Sequence, residues 1–137
     1  MNTTTLFGID LAPIYAAISQ VESDRGATSA NVYQIRDIYI ADVNRICERM
    51  CKLSGTAFRP FPIEAKFDRR ASERMMAIYW QHWGMEYEKK TGERVTYEVL
   101  ARIHNGGPLG WKKRETRRYW QRVLEVLAEV LQEGGSK

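Results

Sequence analysis

The sequence predicts a mainly α-helical fold in which residues 1–137 form one domain. Apolar residues recur every three or four positions in five stretches, which is the spacing of amphipathic helices. Segments with glycine or proline separate these stretches, and the alternating pattern typical of strands is weak. With 137 residues and 44% hydrophobic content, the chain is long enough to bury a single core.

Two helices are predicted in the N-terminal part of the chain. Asp10 can cap the first helix, and a proline at position 13 is tolerated in its first turn. The apolar stripe of this helix consists of Ile14, Ile18 and Val21. Small and polar residues at positions 26–31 end it. Asp37 is expected to cap a second helix that ends at Gly55 and has its apolar positions at Ile38, Ala41, Ile46, Met50 and Leu53.

Three further helices are predicted after the proline-rich connection at residues 58–62. The third covers residues 70–89 and stops at Thr91-Gly92. Thr96 can cap a short fourth helix that ends with residues 101–103. The following segment HNGGPLG, residues 104–110, holds three glycines and a proline, so we expect it to be non-helical. The last helix starts near residues 115–116.

Composition and charge exclude several classes of protein. The net charge of +4 allows an anionic partner without specifying one. No stretch approaches the roughly 18 apolar residues of a membrane span, so membrane insertion is not expected. The first twenty residues do not resemble a secretory signal, which predicts synthesis in the cytoplasm. Cys47 and Cys51 are expected to be reduced thiols, and no metal site or cofactor motif is present.

Glu22 is the first candidate for chemistry because it follows the apolar stripe of the first helix directly. It can be a solvated helix end, a salt-bridge partner or a catalytic acid. A partly desolvated carboxyl has a raised pKa and can hold a proton near neutral pH, as a general acid must. Glycoside hydrolysis commonly uses two carboxyls, and Asp24 is two residues away. We interpret Asp37 and Asp42 as a helix cap and a helix surface charge.

Two later segments admit both a functional and a structural interpretation. In HNGGP, His104 and Asn105 can hydrogen-bond a sugar, and the glycines permit close approach of a ligand. A helix end followed by a proline explains the same residues without a ligand. The segment WKKRETRRYWQR, residues 111–122, interleaves basic and aromatic residues as nucleic-acid surfaces do. A solvated helix face explains most of that pattern, and the chain's tryptophans can serve either as core or as sugar-stacking surfaces.

Three motifs together resemble the lysozyme superfamily. VES at residues 21–23 is similar to its helix-end glutamate motif, and YQI at residues 33–35 is similar to the glutamine-containing segment that follows. ARIHNGGPLG at residues 101–110, with the later T-x-x-YW at residues 116–120, resembles the invertebrate-type (destabilase-like) lysozymes. The same segment is also similar to a loop of lytic transglycosylases. The motifs occur in the family's order.

The resemblance implies a fold and a set of site residues. The fold would be a lysozyme-like helical domain with at most a small, shortened β-flap. Glu22 would be the general acid, and Asp24 aligns with the family's second carboxylate if a deletion separates the two. The glycan cleft would be formed by Tyr33, Gln34, His104, Asn105 and Gly106. Because invertebrate-type lysozymes are rich in disulfides and this chain is not, it resembles a bacterial or phage-type member of the group.

The function implied by the resemblance is that of a muramidase. Such an enzyme cleaves the β-1,4 bond between N-acetylmuramic acid and N-acetylglucosamine in bacterial cell-wall peptidoglycan, here without a metal or cofactor. It would act on the wall after release from the cell. A lytic transglycosylase that uses Glu22 alone and a non-catalytic glycan-binding module remain alternatives. A nucleic-acid partner is not expected, because it would leave VES and HNGGP unexplained.

Overall fold

A computed structural model describes residues 4–24 and 30–135 of the chain. Within these residues a short antiparallel hairpin precedes five α-helices. The hairpin pairs β1 (Thr5–Leu6) with β2 (Ile9–Asp10), so that Thr5 lies opposite Asp10. The helices are α1 (Ala12–Asp24), α2 (Asp37–Ser54), α3 (Arg69–Thr91), α4 (Tyr97–Gly106) and α5 (Thr116–Gly135), with short 3₁₀ turns at Ile63–Phe67 and Gly110–Lys112. The predicted mainly α class is confirmed. No described helix is both long and apolar enough to cross a membrane.

The helices pack around Trp80, which lies in the middle of α3 and is completely buried. Its indole N–H donates to the Leu100 carbonyl in α4 at 2.9 Å, so this large side chain is satisfied inside the core. α1 packs mainly against α5, while α3 contacts both α2 and α4. The predicted stripe of α1 is confirmed, since Ile14, Ile18 and Val21 are all buried.

Local side-chain contacts explain where most helices begin and end. The Asp10 carboxylate accepts from Ala12 N at 3.1 Å, and Thr96 Oγ1 accepts from Val99 N at 3.3 Å, as predicted. Asp68 performs the same task for α3 by accepting from Ala71 N at 2.8 Å. Gly55 and Gly92 end α2 and α3 in the left-handed conformation that glycine favours. The segment predicted to end α1 falls largely on residues 25–29, which lie outside the described part of the chain.

Two predictions about α2 are wrong. Asp37 is its first helical residue rather than its cap, and its carboxylate forms an ion pair with Lys66. The predicted apolar stripe is largely exposed, with Ile38 and Leu53 at 76% and 79% exposure. The buried positions are instead Tyr39, Ile40 and Val43. The ring of Tyr39 stacks on Tyr79 of α3 at 4.0 Å between centroids, which favours this rotation of the helix.

The predicted end of α4 is also wrong, because the helix continues through His104 and Asn105 to Gly106. The backbone leaves the helix at Gly107, whose φ of 89° is open to glycine. Gly106 remains helical and serves close packing, since a Cβ there would lie 2.5 Å from Thr116 Cγ2. Tertiary contacts therefore decide the end of α4, although the local composition favours an earlier stop.

Candidate active site

A cleft of about 720 Å³ opens between α2 and the end of α4. One side, here called the helix wall, consists of Arg36, Ile38, Tyr39, Asp42 and Arg45. The opposite side, here called the loop wall, consists of residues 104–108 with Lys113, Glu115 and Thr116. The remaining lining comes from Glu22, Gln34, Tyr79 and Trp83.

Glu22 lies in the last turn of α1 and reaches the cleft from the core. It is only 5% exposed, and its Oε2 accepts a hydrogen bond of 2.9 Å from the Tyr119 hydroxyl of α5. The interpretation of Glu22 as a solvated helix end is therefore wrong. A buried carboxyl needs hydrogen-bond partners, and Tyr119 supplies one while fixing the orientation of the group.

Asp24 has a different position from Glu22 although it is only two residues away. It is the last residue of α1, its side chain is exposed, and it does not line the cleft. The segment that follows it, residues 25–29, lies outside the described part of the chain. The role of Asp24 as second carboxylate therefore stays a prediction.

Tyr33 and Gln34 are adjacent in sequence but lie in different environments. Gln34 is exposed, lines the cleft and has a φ of 54°, in a turn closed by its N–H donating to Asn31 O at 3.1 Å. Tyr33 is completely buried and its hydroxyl donates to Glu73. Burial and the Glu73 carboxylate raise the pKa of this phenol. The structure thus gives Tyr33 a supporting position instead of the predicted place in the cleft.

His104 connects the buried Tyr33 to the loop wall. Its Nε2 lies 2.9 Å from the Tyr33 carbonyl, which can only accept, so Nε2 carries the proton. Nδ1 is then the acceptor for the Tyr39 hydroxyl at 3.2 Å. Burial lowers the pKa of the imidazole from 6.5 to about 4, so the ring is neutral at pH 7. Both nitrogens have protein partners, and His104 lines the cleft beside Asn105 and Gly106.

A hydrogen-bond network around Arg102 fixes the loop wall. The guanidinium donates to Glu98 Oε2 at 2.8 Å, to Thr116 Oγ1 at 2.8 Å and to the Lys113 carbonyl at 2.9 Å. Gly110 packs directly against the same turn, since a Cβ there would lie 2.0 Å from the Arg102 carbonyl oxygen. Arg102 belongs to the ARIHNGGPLG motif but was not among the site residues predicted from it, and its hydrogen bonds support the shape of the cleft.

Asp42 lies on the helix wall, and its interpretation as a helix surface charge is wrong. Its Oδ2 accepts from the Trp83 indole N–H at 3.0 Å, and its Oδ1 lies 3.3 Å from Arg45 Nη2. The side chain is 18% exposed and borders the same cleft as Glu22. One sequence signal points to this position. Tyr39, Asp42 and Arg45 recur every three residues and so share a helix face.

Comparison with known proteins identifies the family. No family model matches the chain. The chain is 33% identical over 105 residues to invertebrate-type lysozyme 6 of Caenorhabditis elegans, an alignment that covers 73% of this chain and 68% of that protein. The chain belongs to the invertebrate-type lysozyme family. It is also 29% identical over 103 residues to a lysozyme of Meretrix lusoria, covering 75% of this chain and 71% of that protein.

A shorter similarity supports the same assignment. Over 43 residues the chain is 42% identical to lysozyme 1 of Crassostrea virginica, which covers 31% of this chain and 23% of that protein. The resemblance inferred from the motifs is therefore confirmed. Of the site residues that the motifs suggested for this invertebrate-type lysozyme, the cleft brings together Glu22, Gln34, His104, Asn105 and Gly106.

The cleft carries charges of both signs. Glu22, Asp42 and Glu115 are acidic, whereas Arg36, Arg45 and Lys113 are basic. The aromatic faces of Tyr39 and Tyr79 are stacked on each other, and the Trp83 ring meets Tyr79 edge-on at 6.5 Å. A polar ligand with apolar ring faces would find hydrogen-bond partners there, and its aromatic contact would be mainly with the half-buried Trp83, because Tyr39 and Tyr79 are buried.

Proposed function

We propose that this protein is a muramidase that cleaves the β-1,4 bond between N-acetylmuramic acid and N-acetylglucosamine in peptidoglycan. The observation that carries the proposal is the position of Glu22, a buried carboxyl held by Tyr119 at the edge of a cleft of about 720 Å³. Its relatives are named lysozymes, which supports a glycosidase.

In the proposed reaction Glu22 acts as the general acid. Its proton passes to the glycosidic oxygen while the bond between that oxygen and the anomeric carbon breaks, leaving an oxocarbenium-like sugar. Water then attacks the anomeric carbon and returns a proton to Glu22. Asp24 is proposed to stabilise the cation or to direct the water. Tyr119 keeps the carboxyl in one orientation, which general acid catalysis requires.

A second candidate is a lytic transglycosylase that uses Glu22 alone. The exposed position of Asp24, outside the cleft lining, favours this alternative. In that reaction the 6-hydroxyl of the muramic acid attacks the anomeric carbon and gives its proton to Glu22. The product then has a 1,6-anhydro end instead of a reducing end. A non-catalytic glycan-binding module is the third candidate and would bind peptidoglycan without releasing fragments.

The test is digestion of purified peptidoglycan followed by mass spectrometry of the soluble fragments. The wild type, Glu22→Gln and Glu125→Gln are compared. Glu125 is an exposed carboxylate on α5 that does not line the cleft, so it controls for loss of a negative charge. We expect Glu22→Gln to lose at least about 100-fold in rate, the usual effect of removing a general acid. Glu125→Gln should match the wild type.

The fragments distinguish the candidates. Reducing ends indicate a hydrolase, and anhydro-muramic ends indicate a transglycosylase. If folded Glu22→Gln digests the wall as fast as the wild type, Glu22 is not the acid. If the folded wild type binds several wall types and releases nothing, the binding module is the correct description.

A further inference from the structure

We propose that Asp42 contacts the substrate directly and holds a hexosamine on the helix wall. Its carboxylate would accept hydrogen bonds from sugar hydroxyls or from the N–H of an acetamido group. The substrate class in this inference rests on the proposed function, whereas the contact itself rests on the geometry of the helix wall.

Asp42 is held in place before any ligand binds. The Trp83 indole N–H donates to Oδ2 at 3.0 Å, and the Arg45 guanidinium lies 3.3 Å from Oδ1. Trp83 is itself placed by edge-on contacts with Tyr79 at 6.5 Å and with His82 at 4.5 Å. One carboxylate oxygen is therefore held by Trp83 of α3 and the other by Arg45 of α2. The Asp42 side chain has little conformational freedom left to lose when a ligand binds.

The Asp42 carboxylate can still accept further hydrogen bonds. An ionised carboxylate has about four lone-pair sites, of which Trp83 and Arg45 use one each. The side chain is 18% exposed and borders the cleft, so a sugar can approach it. Hydroxyl and amide N–H groups are donors, and hydrogen bonds to a charged acceptor are stronger than those between neutral groups.

The other two acidic residues of α2 lie outside the cleft. Asp37 forms an ion pair with Lys66 away from the cleft, and Glu48 is exposed and does not line it. Asp42 alone among these three combines a fixed orientation with a place in the cleft. An aspartate that served only to keep the helix surface hydrated would not need the hydrogen bond that the Trp83 indole donates to Asp42.

The experiment measures binding of the N-acetylglucosamine tetramer by titration calorimetry. Glu22→Gln serves as the parent so that the tetramer is not cleaved during the titration. Asp42→Asn keeps the shape of the side chain but replaces one acceptor oxygen with a donor and removes the charge. Glu48→Gln makes the matched change elsewhere on α2. Circular dichroism and thermal unfolding establish that each variant is folded.

We expect Asp42→Asn to weaken binding about tenfold or more, the typical effect of losing a hydrogen bond to a charged group. Glu48→Gln should bind as the parent does. Trp83→Phe removes only the indole donor below Asp42 and should weaken binding severalfold. Its effect should largely disappear in the Asp42→Asn background, because the two side chains act as a unit.

Three results would overturn the inference: unchanged binding by folded Asp42→Asn, equal losses in Asp42→Asn and Glu48→Gln, or no binding of the tetramer by the parent. These outcomes are separable from failure of the proposed function. A wild type that cleaves peptidoglycan while Asp42→Asn binds normally refutes the role of Asp42 alone. A parent that binds through Asp42 while the wild type releases no fragments supports Asp42 and refutes the muramidase.

Discussion

The two walls of the cleft differ in how firmly they are attached to the core. On the loop wall, His104 and Thr116 are 8% and 1% exposed, and the network around Arg102 ties the turn to α4. On the helix wall, Ile38 is 76% exposed and the Arg45 side chain is 72% exposed. The loop wall is therefore anchored in the core through His104 and Thr116, whereas three of the five helix-wall residues, Arg36, Ile38 and Arg45, are exposed.

Because of this difference, we expect the loop wall to determine the shape of the cleft and the helix wall to determine which ligand it binds. Substitutions at the buried positions of the loop wall, or in the network that fixes it, should first change the stability of the fold, because they disturb close packing and buried hydrogen bonds. Substitutions at exposed positions of the helix wall should leave stability nearly unchanged and alter ligand binding. The following three predictions test the contrast in order of decreasing effect.

The largest effect is expected for Gly110→Ala. A Cβ at this position would lie 2.0 Å from the Arg102 carbonyl, so the backbone must shift. We expect a loss of about 3 kcal/mol or more in the free energy of unfolding, measured by urea denaturation. Gly55→Ala is the control, since a Cβ there meets open space and only the positive φ is strained, at a cost of about 1 kcal/mol. Equal losses for the two variants would show that the turn at Gly110, which supports the loop wall, can relax.

The next effect compares Arg102, whose hydrogen bonds fix the loop wall, with Arg45 of the helix wall. Arg102→Met removes the donors to Thr116 Oγ1 and to the Lys113 carbonyl, for which we expect a loss of about 2 to 3 kcal/mol. Arg45→Met removes a largely exposed ion pair with Asp42 and should cost less than about 0.5 kcal/mol. Thermal and urea unfolding provide the measurement. A small loss for Arg102→Met would contradict the structural difference between the walls.

The smallest predicted effect is a pH dependence that arises at His104. Its pKa is about 4 in the folded protein because of burial, against 6.5 in the unfolded chain. Between these values the unfolded chain binds a proton that the folded protein does not. The stabilisation is therefore complete above pH 6.5 and is lost as the pH falls. This residue should account for about 2 kcal/mol of the stability lost between pH 7 and pH 5.

Comparing wild type and His104→Gln isolates this contribution from that of the carboxyl groups. Urea unfolding of both proteins at pH 7 and pH 5 gives the two differences. The wild type should lose about 2 kcal/mol more than the variant over this range. Identical losses would mean that His104 is not held as a neutral ring between Tyr33 and Tyr39.

The sequence predicted those features of the helices that depend on residues close together in the chain. The stripe of α1, the caps Asp10 and Thr96 and the end of α3 at Gly92 are determined by neighbours within a few residues. The motif VES likewise placed Glu22 at the end of a helix. The buried face of α2 was not predictable, because apolar residues of this helix face both the core and the cleft. The continuation of α4 depends on partners of His104 that are distant in sequence.

The sequence by itself determined the mainly α class, the family and the position of Glu22 at a helix end. These follow from short-range spacing and from the contiguous motifs VES and ARIHNGGPLG. Only the tertiary structure decided that Tyr33 supports the cleft instead of lining it, and that the face of α2 shared by Tyr39, Asp42 and Arg45 borders the cleft. The physical reason is that exposure and hydrogen-bond partners depend on how helices are rotated against one another. That rotation is set by packing between residues far apart in the chain, such as Tyr39 against Tyr79.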